Sequence, residues 1–117
     1  MRNEALRAVL FVDELGRWGG VVLEHAIAAH GETPADVEAK LRYLVEAHLL
    51  IAEERGEDPT EALGRVPPSS KRYWRMYDEA ASVEELGEAA RERRLVKVPD
   101  VLRWAPWAQG RLGFAPA

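Results

Sequence analysis

The sequence predicts an α+β domain, because a β-hairpin pattern and a third extended segment precede one long, well-marked helix. Residues 5–12 and 18–24 are short runs rich in β-branched and aromatic side chains, and residues 13–17 between them have a turn composition. Residues 26–29 form a third extended segment, whose small side chains suit a strand beneath a helix. The length of 117 residues fits one domain with one main core.

The long helix is predicted over residues 34–54 by signals at both of its ends. Thr33 is placed to cap the N-terminus, Pro34 suits the first helical position, Asp36 lies in the first turn, and Gly56 follows the end. At about 100° per residue, one side of the helix is apolar. Its members are Val37, Leu41, Leu44, Val45, Ile51 and Ala52, flanked by Tyr43, Ala47, Leu50 and Leu49, while Glu38, Arg42, Glu46 and Glu53 occupy the remaining positions. This arc is wider than one sheet needs, so part of it is expected to meet the C-terminal segment or another subunit.

The second half of the chain is predicted to be helical and irregular. Residues 56–70 carry turn signals at both ends and are interpreted as a surface connection containing one helical turn. A short helix is expected over residues 71–81, and Ser82 with Glu85 has the spacing of a capping box for a further helix over residues 83–94. Residues 95–98 and 101–104 either add a strand or wrap along the sheet, and an irregular tail follows. We therefore divide the chain into a core, residues 1–56, and a linker with a helical extension, residues 57–117, packed on the same domain.

Composition excludes several classes of function. The formal net charge of −4 argues against a surface dominated by phosphate-binding cations. The absence of cysteine excludes a disulfide framework, a thiolate metal site and a thiol nucleophile. The apolar run of residues 6–12 is too short and too interrupted for a signal peptide or a membrane span, which predicts a cytoplasmic protein with no membrane partner.

The three histidines are the candidates for a metal or acid–base site. His25 and His30 are five residues apart, a spacing that directs them to opposite faces of an unbroken strand, and His48 is placed on the apolar face of the long helix. Zinc usually takes three or four convergent ligands, so no metal or cofactor site is predicted. The glycines at 19 and 20 lack the spacing of a phosphate-binding loop and are interpreted as a turn or bulge.

Residues 71–77, Lys-Arg-Tyr-Trp-Arg-Met-Tyr, interleave cations with aromatic side chains. Such a segment either stacks on nucleic-acid bases or docks an amphipathic helix, and we favour packing or subunit contact for Tyr73, Trp74 and Tyr77. Trp104 and Trp107 either clamp the tail on the core or lie in an interface.

Residues 22–36, Val-Leu-Glu-His-Ala-Ile-Ala-Ala-His-Gly-Glu-Thr-Pro-Ala-Asp, resemble the HicB-like family of small antitoxin-type domains. The Pro…Tyr-Trp stretch of residues 68–77 is similar to that of stand-alone, uncharacterised members. The resemblance covers residues 5–80 and implies a three-stranded antiparallel sheet, similar to a truncated double-stranded-RNA-binding fold, with the long helix on one face.

The resemblance also implies a function. HicB antitoxins bind and block a small RNA-cleaving toxin, many repress their operon through a C-terminal DNA-binding motif, and members commonly form dimers or higher oligomers. This chain has Val22 where the family usually has a cysteine, and it shows no recognisable DNA-binding motif from Val83 onward.

The expected function is accordingly a non-catalytic protein-binding module, antitoxin-like or regulatory, that forms a homodimer or higher oligomer and binds a small toxin-like protein. A nucleic-acid-binding module is the alternative, with Lys71, Arg72 and Arg75 joined by the arginines at 91, 93 and 94. A small hydrolase or metal enzyme that uses the histidines is the third hypothesis. Candidate interface residues are Tyr43, Leu50, Tyr73, Trp74, Tyr77, Trp104 and Trp107.

Overall fold

A computed structural model describes residues 5–82 and 95–102 of the chain. Its elements, in chain order, are β1 (Ala8–Val12), β2 (Trp18–Val22), β3 (Ala28–Gly31), α1 (Pro34–Glu54), α2 (Pro59–Gly64), α3 (Lys71–Glu79), β4 (Ala81–Ser82) and β5 (Leu95–Val98). They form one sheet with the strand order β3-β2-β1-β5-β4 and helices on both of its faces. The predicted α+β class, with an antiparallel sheet and one long helix, is confirmed.

β1 and β2 form the predicted antiparallel hairpin, in which Val12 pairs with Trp18. The carboxylate of Asp13 closes the turn by accepting hydrogen bonds from the backbone N–H groups of Leu15 and Arg17, both at 2.9 Å. These bonds to the ionised form lower the pKa of Asp13, that from Arg17 most. Gly16 has a φ of +80°, a conformation that favours glycine.

The ends of α1 agree with the residues that predict them. The Thr33 hydroxyl accepts a hydrogen bond from the backbone N–H of Asp36 at 3.1 Å. At the other end Gly56 has a φ of +73°, and its N–H and that of Glu57 bond to the carbonyls of Glu53 and Ala52. This is the Schellman arrangement, which satisfies carbonyls that the helix leaves without partners.

The sheet has more strands than the three that the resemblance implies. Residues 95–98 form β5, which pairs antiparallel with β1 and gives four antiparallel strands, and the two-residue β4 adds to the edge in parallel. The third strand occupies residues 28–31 and is thus shifted from the predicted 26–29. The predicted helix over residues 83–94 lies outside the described residues.

The two faces of the sheet carry apolar clusters of different size. Alternate β1 residues point to opposite sides, so Ala8 and Leu10 face α1 while Val9 and Phe11 face α3. The α1 cluster is the main core and also contains Leu63 of α2. The smaller cluster lies under α3 and is completed by half-buried aromatic side chains.

The connection between α2 and α3 is tied to the end of β2. Ser69 donates its backbone N–H to the Leu23 carbonyl at 2.8 Å and its hydroxyl to the Val22 carbonyl at 2.6 Å. The backbone N–H of Ala26 donates to the Pro67 carbonyl at 2.6 Å. These bonds hold the chain at the point where it passes from one face of the sheet to the other.

Candidate functional site

The aromatic stripe of α3 packs on the sheet. Tyr73, Trp74 and Tyr77 are each half-buried against β1 and β5. The Tyr73 ring stacks on Phe11 with centroids 5.7 Å apart, and Trp74 donates its indole N–H to the Ser69 carbonyl at 3.2 Å. These three candidate residues therefore lie together, and a large part of their surface is covered by other residues of the same chain.

Cations lie over these rings. The Arg7 guanidinium is 4.8 Å from the centroid of Trp74 and 5.9 Å from that of Tyr77, and the Lys97 ammonium is 4.9 Å from the Tyr77 centroid on the same cluster. Arg72 lies 5.0 Å from the Tyr73 centroid. Burial raises the pKa of the Tyr77 hydroxyl, and the charge of Arg7 opposes this effect.

Arg7 is further held by Glu24. The Arg7 guanidinium donates to the Glu24 carboxylate at 2.6 Å, and the Arg7 backbone N–H donates to the other carboxylate oxygen at 2.8 Å. The hydrogen bond to Glu24 raises the pKa of Arg7. Both residues line an open cleft of about 660 Å³ beside Trp74, but their charges are already paired with each other.

A second apolar surface, on the outer side of α1, is exposed to solvent. Four large apolar side chains of the described residues are exposed, and three of them lie here: Tyr43 at 72%, Leu50 at 56% and Ile51 at 48%. Ala39 and Ala47 lie on the same side of the helix at spacings of three and four residues. We call Ala39, Tyr43, Ala47, Leu50 and Ile51 the α1 outer stripe. It contains two of the predicted interface residues and joins neither apolar cluster.

The histidines do not converge. The Nδ1 atom of His25 lies 3.0 Å from the Val66 carbonyl oxygen, while His30 is exposed, 3.9 Å from a carboxylate oxygen of Asp13. His48 is exposed, and its predicted position on the buried face is wrong because the buried positions of α1 stop at Val45 and resume only at Ala52. Within residues 5–82 and 95–102, no three potential ligands are grouped to hold a metal ion.

Sequence reasoning also missed a buried ion pair. Glu38, assigned to the polar side of α1, is 1% exposed, and one of its carboxylate oxygens accepts a hydrogen bond from Arg42. The other oxygen has no hydrogen-bond partner among the described residues. Burial raises the pKa of Glu38, and Arg42 opposes this effect. Arg42 also donates to the Val101 carbonyl at 3.3 Å, so the pair joins α1 to the segment after β5. The four-residue spacing of the opposite charges is the signal that marks this pair.

The remaining candidates, Trp104 and Trp107, and the arginines at 91, 93 and 94 lie outside the described residues. None of the described helices has the length and apolarity required to cross a bilayer. Comparisons find no matching family model, no significant match to a curated protein and none to a solved structure.

Proposed function

We propose that the protein is a non-catalytic protein-binding module, antitoxin-like or regulatory, and that it binds its partner through the α1 outer stripe. The observation that carries this proposal is the exposure of Tyr43, Leu50 and Ile51 on one side of one helix. An exposed apolar patch on a regular element is typical of a surface that another protein covers. A single exposed apolar residue, such as Leu15 on the hairpin, is common on protein surfaces and does not indicate a binding surface.

The described titratable groups support a structural role rather than catalysis. The groups with a shifted pKa are Arg7, Asp13, Glu38 and Tyr77. Each shift is explained by a structural contact: an ion pair for Arg7, a turn for Asp13, burial of the carboxylate for Glu38 and ring packing for Tyr77. Catalytic groups instead combine a shifted pKa with a second reactive group in a shared cleft.

The resemblance of residues 22–36 and 68–77 to the HicB-like family gives the partner class of this proposal. By that resemblance the partner is a small RNA-cleaving toxin, which the module would bind and block. The net charge of −4 favours a basic partner, because opposite net charges speed association.

The test is affinity capture of tagged full-length protein from a nuclease-treated native lysate, followed by binding measurements with the purified partner. Tyr43→Glu and Leu50→Glu place a charge in the α1 outer stripe, and Leu15→Glu is the matched control at an exposed leucine elsewhere. We expect a small protein to bind the wild type and the control with equal affinity and both stripe variants at least about tenfold more weakly, a loss of ~1.4 kcal/mol. Equal binding by all four proteins would exclude the stripe as the partner surface.

Nucleic-acid binding is the second candidate, and the exposure of Lys71, Arg72 and Arg75 on α3 supports it. The inward packing of Tyr73, Trp74 and Tyr77 weighs against it, because stacked bases need accessible ring faces. Titration with single-stranded and duplex oligonucleotides at several salt concentrations tests it. Affinity that falls steeply with salt and is lost in a Lys71→Glu/Arg75→Glu variant would favour nucleic acid over a protein partner.

A further inference from the structure

The open cleft beside Trp74 is formed where three separate segments of the chain meet. One segment leads into β1, one follows β2, and one contains the start of α3. The residues that line the cleft are Ala5, Arg7, Glu24, His25, Pro68 and Trp74. Its volume of about 660 Å³ lies within the range of clefts that bind small organic molecules. None of its lining residues belongs to the α1 outer stripe.

Arg7 is fixed in place within this cleft. The carboxylate of Glu24, whose side chain is only 11% exposed, accepts hydrogen bonds from the Arg7 backbone N–H and from its Nε. The Arg7 guanidinium also lies 4.8 Å from the centroid of the Trp74 ring. A long surface side chain usually loses conformational freedom when it binds a ligand. Folding has already fixed the Arg7 side chain, so ligand binding does not incur this cost again.

The guanidinium of Arg7 nevertheless has hydrogen-bonding capacity left. It carries five N–H donors, and within residues 5–82 and 95–102 the Nε donor is the one that is bonded. The Arg7 side chain is 42% exposed and lines the cleft, so its two terminal amino groups are accessible to a ligand. Their parallel N–H groups match the two oxygens of a carboxylate or a phosphate.

The groups around Arg7 favour an anionic ligand over a cationic one. Both oxygens of Glu24 already accept a hydrogen bond from Arg7, and the guanidinium already lies over the Trp74 ring. A second cation in the cleft would be repelled by Arg7 and would find its natural partners in use. Pro68 and Trp74 add apolar surface to the walls, which suits a ligand with a flat apolar body.

We propose that this cleft binds a small organic anion. The terminal amino groups of Arg7 hold its carboxylate or phosphate, and its apolar body lies against Trp74 and Pro68. Glu24 acts as a positioning residue that orients Arg7. Because Glu24 also offsets much of the charge of Arg7, affinity depends on hydrogen-bond geometry more than on net charge. This small-molecule site goes beyond the proposed function and does not rest on it.

The first experiment is titration of the full-length protein with four small probes, followed by the ¹⁵N NMR signal of the Arg7 Nε–H group. Benzoate and phenyl phosphate carry an anion on a ring, acetate has no ring, and benzamide has no charge. We expect at least one of the two ring anions to shift the Arg7 signal with a dissociation constant of ~1 mM or lower. Acetate and benzamide should bind at least about fivefold more weakly.

The relative affinities of the two ring anions identify the anionic group. Tighter binding of benzoate assigns the cleft to carboxylates, and tighter binding of phenyl phosphate assigns it to phosphates. No shift of the Arg7 signal by either ring anion at ~10 mM would overturn the inference. Binding of benzamide as tightly as benzoate would also overturn it, because the neutral amide cannot form the charge-assisted pair.

Arg7→Lys tests the role of the guanidinium, because it keeps the positive charge but removes the parallel N–H groups. Calorimetry should show ring-anion binding weakened at least about fivefold, with unchanged circular dichroism. Arg72→Lys is the matched control, since Arg72 also lies over a ring, 5.0 Å from the Tyr73 centroid, but does not line this cleft. Equal binding by the two variants would refute the role of Arg7.

A further variant leaves the Arg7–Glu24 pair intact. Pro68→Glu places a carboxylate on the cleft wall at an exposed position, and it should weaken both ring anions several-fold while leaving benzamide unchanged. Ring-anion binding that is unaffected by Pro68→Glu would count against this cleft. Leu50→Glu, in the α1 outer stripe, should bind the anions as the wild type does. Loss of partner binding in Leu50→Glu with anion binding retained would show that the two sites are independent.

Discussion

Replacing Arg42 with methionine is expected to destabilise the fold in a pH-dependent way. The change keeps most of the aliphatic stem but removes the guanidinium that donates to Glu38, whose side chain is 1% exposed. Removing one member of a buried ion pair costs about 3–5 kcal/mol, because the other charge stays buried without compensation. The Arg42 side chain is 28% exposed, so we expect the lower end of this range, ~3 kcal/mol at pH 8.

The sign of the pH dependence follows from the pKa of Glu38. Burial raises this pKa in the folded state, and Arg42 is the group that lowers it, so Arg42→Met raises it further. A carboxyl whose pKa is higher in the folded state than in the unfolded state binds more protons when folded. The free energy of unfolding therefore falls as pH rises from the ordinary pKa of glutamic acid to the raised value. The loss caused by Arg42→Met should shrink as the pH is lowered toward 5.

The assay is urea denaturation of wild type and variant at a series of pH values between 5 and 8. Arg65→Met is the matched control, because it breaks a surface pair with Glu57 and is expected to change stability by less than ~0.5 kcal/mol at every pH. The double variant Glu38→Leu/Arg42→Met should recover most of the loss and its pH dependence. A loss that is equally small for Arg42→Met and the control, or one that does not change with pH, would refute the reasoning.

Three other substitutions, one of them with a matched control, test a close packing contact, a helix cap and an ion pair. Gly20→Ala should lower the free energy of unfolding by ~2 kcal/mol or more, because the added Cβ would lie 2.6 Å from a valine side chain of α1. Gly64→Ala is the matched control: the space around Gly64 is open, so this change should be neutral or stabilising in the same denaturation assay. Thr33→Ala should cost ~1 kcal/mol through loss of the N-cap, with reduced helicity at the start of α1 seen by amide hydrogen exchange. Arg7→Met should lower the free energy of unfolding by ~1–2 kcal/mol, because it removes the guanidinium bonded to Glu24. A wild-type free energy of unfolding that does not change across a salt series would count against a contribution from that pair.

The sequence predicts the elements whose signals are local. Thr33, Pro34 and Gly56 lie at the ends of α1 and act on neighbouring backbone groups, so the helix begins and ends where they indicate. For residues 95–98 the sequence is compatible with either a strand or a segment wrapped along the sheet. Their place beside β1 depends on pairing across more than eighty residues, which no local pattern encodes.

Assignment of residues to a buried or exposed side of α1 succeeds only where the sheet covers the helix. Helical spacing places His48 near the centre of the apolar face, but burial lapses at that turn, so it is exposed. Glu38 shows the opposite error: spacing assigns it to the polar side, but it is buried, and its partner Arg42 bonds to the Val101 carbonyl. Helical spacing alone therefore does not determine which positions of α1 the rest of the chain covers.

The two candidate surfaces differ in how their apolar residues are used, and this difference bears on function. Both α1 and α3 carry large apolar or aromatic residues at helical spacing, a pattern that does not distinguish packing within the chain from contact with a partner. On α3 the pattern reflects packing within the chain, where Tyr73, Trp74 and Tyr77 make ring-stacking and cation–π contacts. Tyr43 and Leu50 do not pack in this way, since they lie on the side of α1 that faces away from the sheet. An apolar side chain that folding does not bury can still be stabilised by association, so the partner surface is better sought on α1 than on α3.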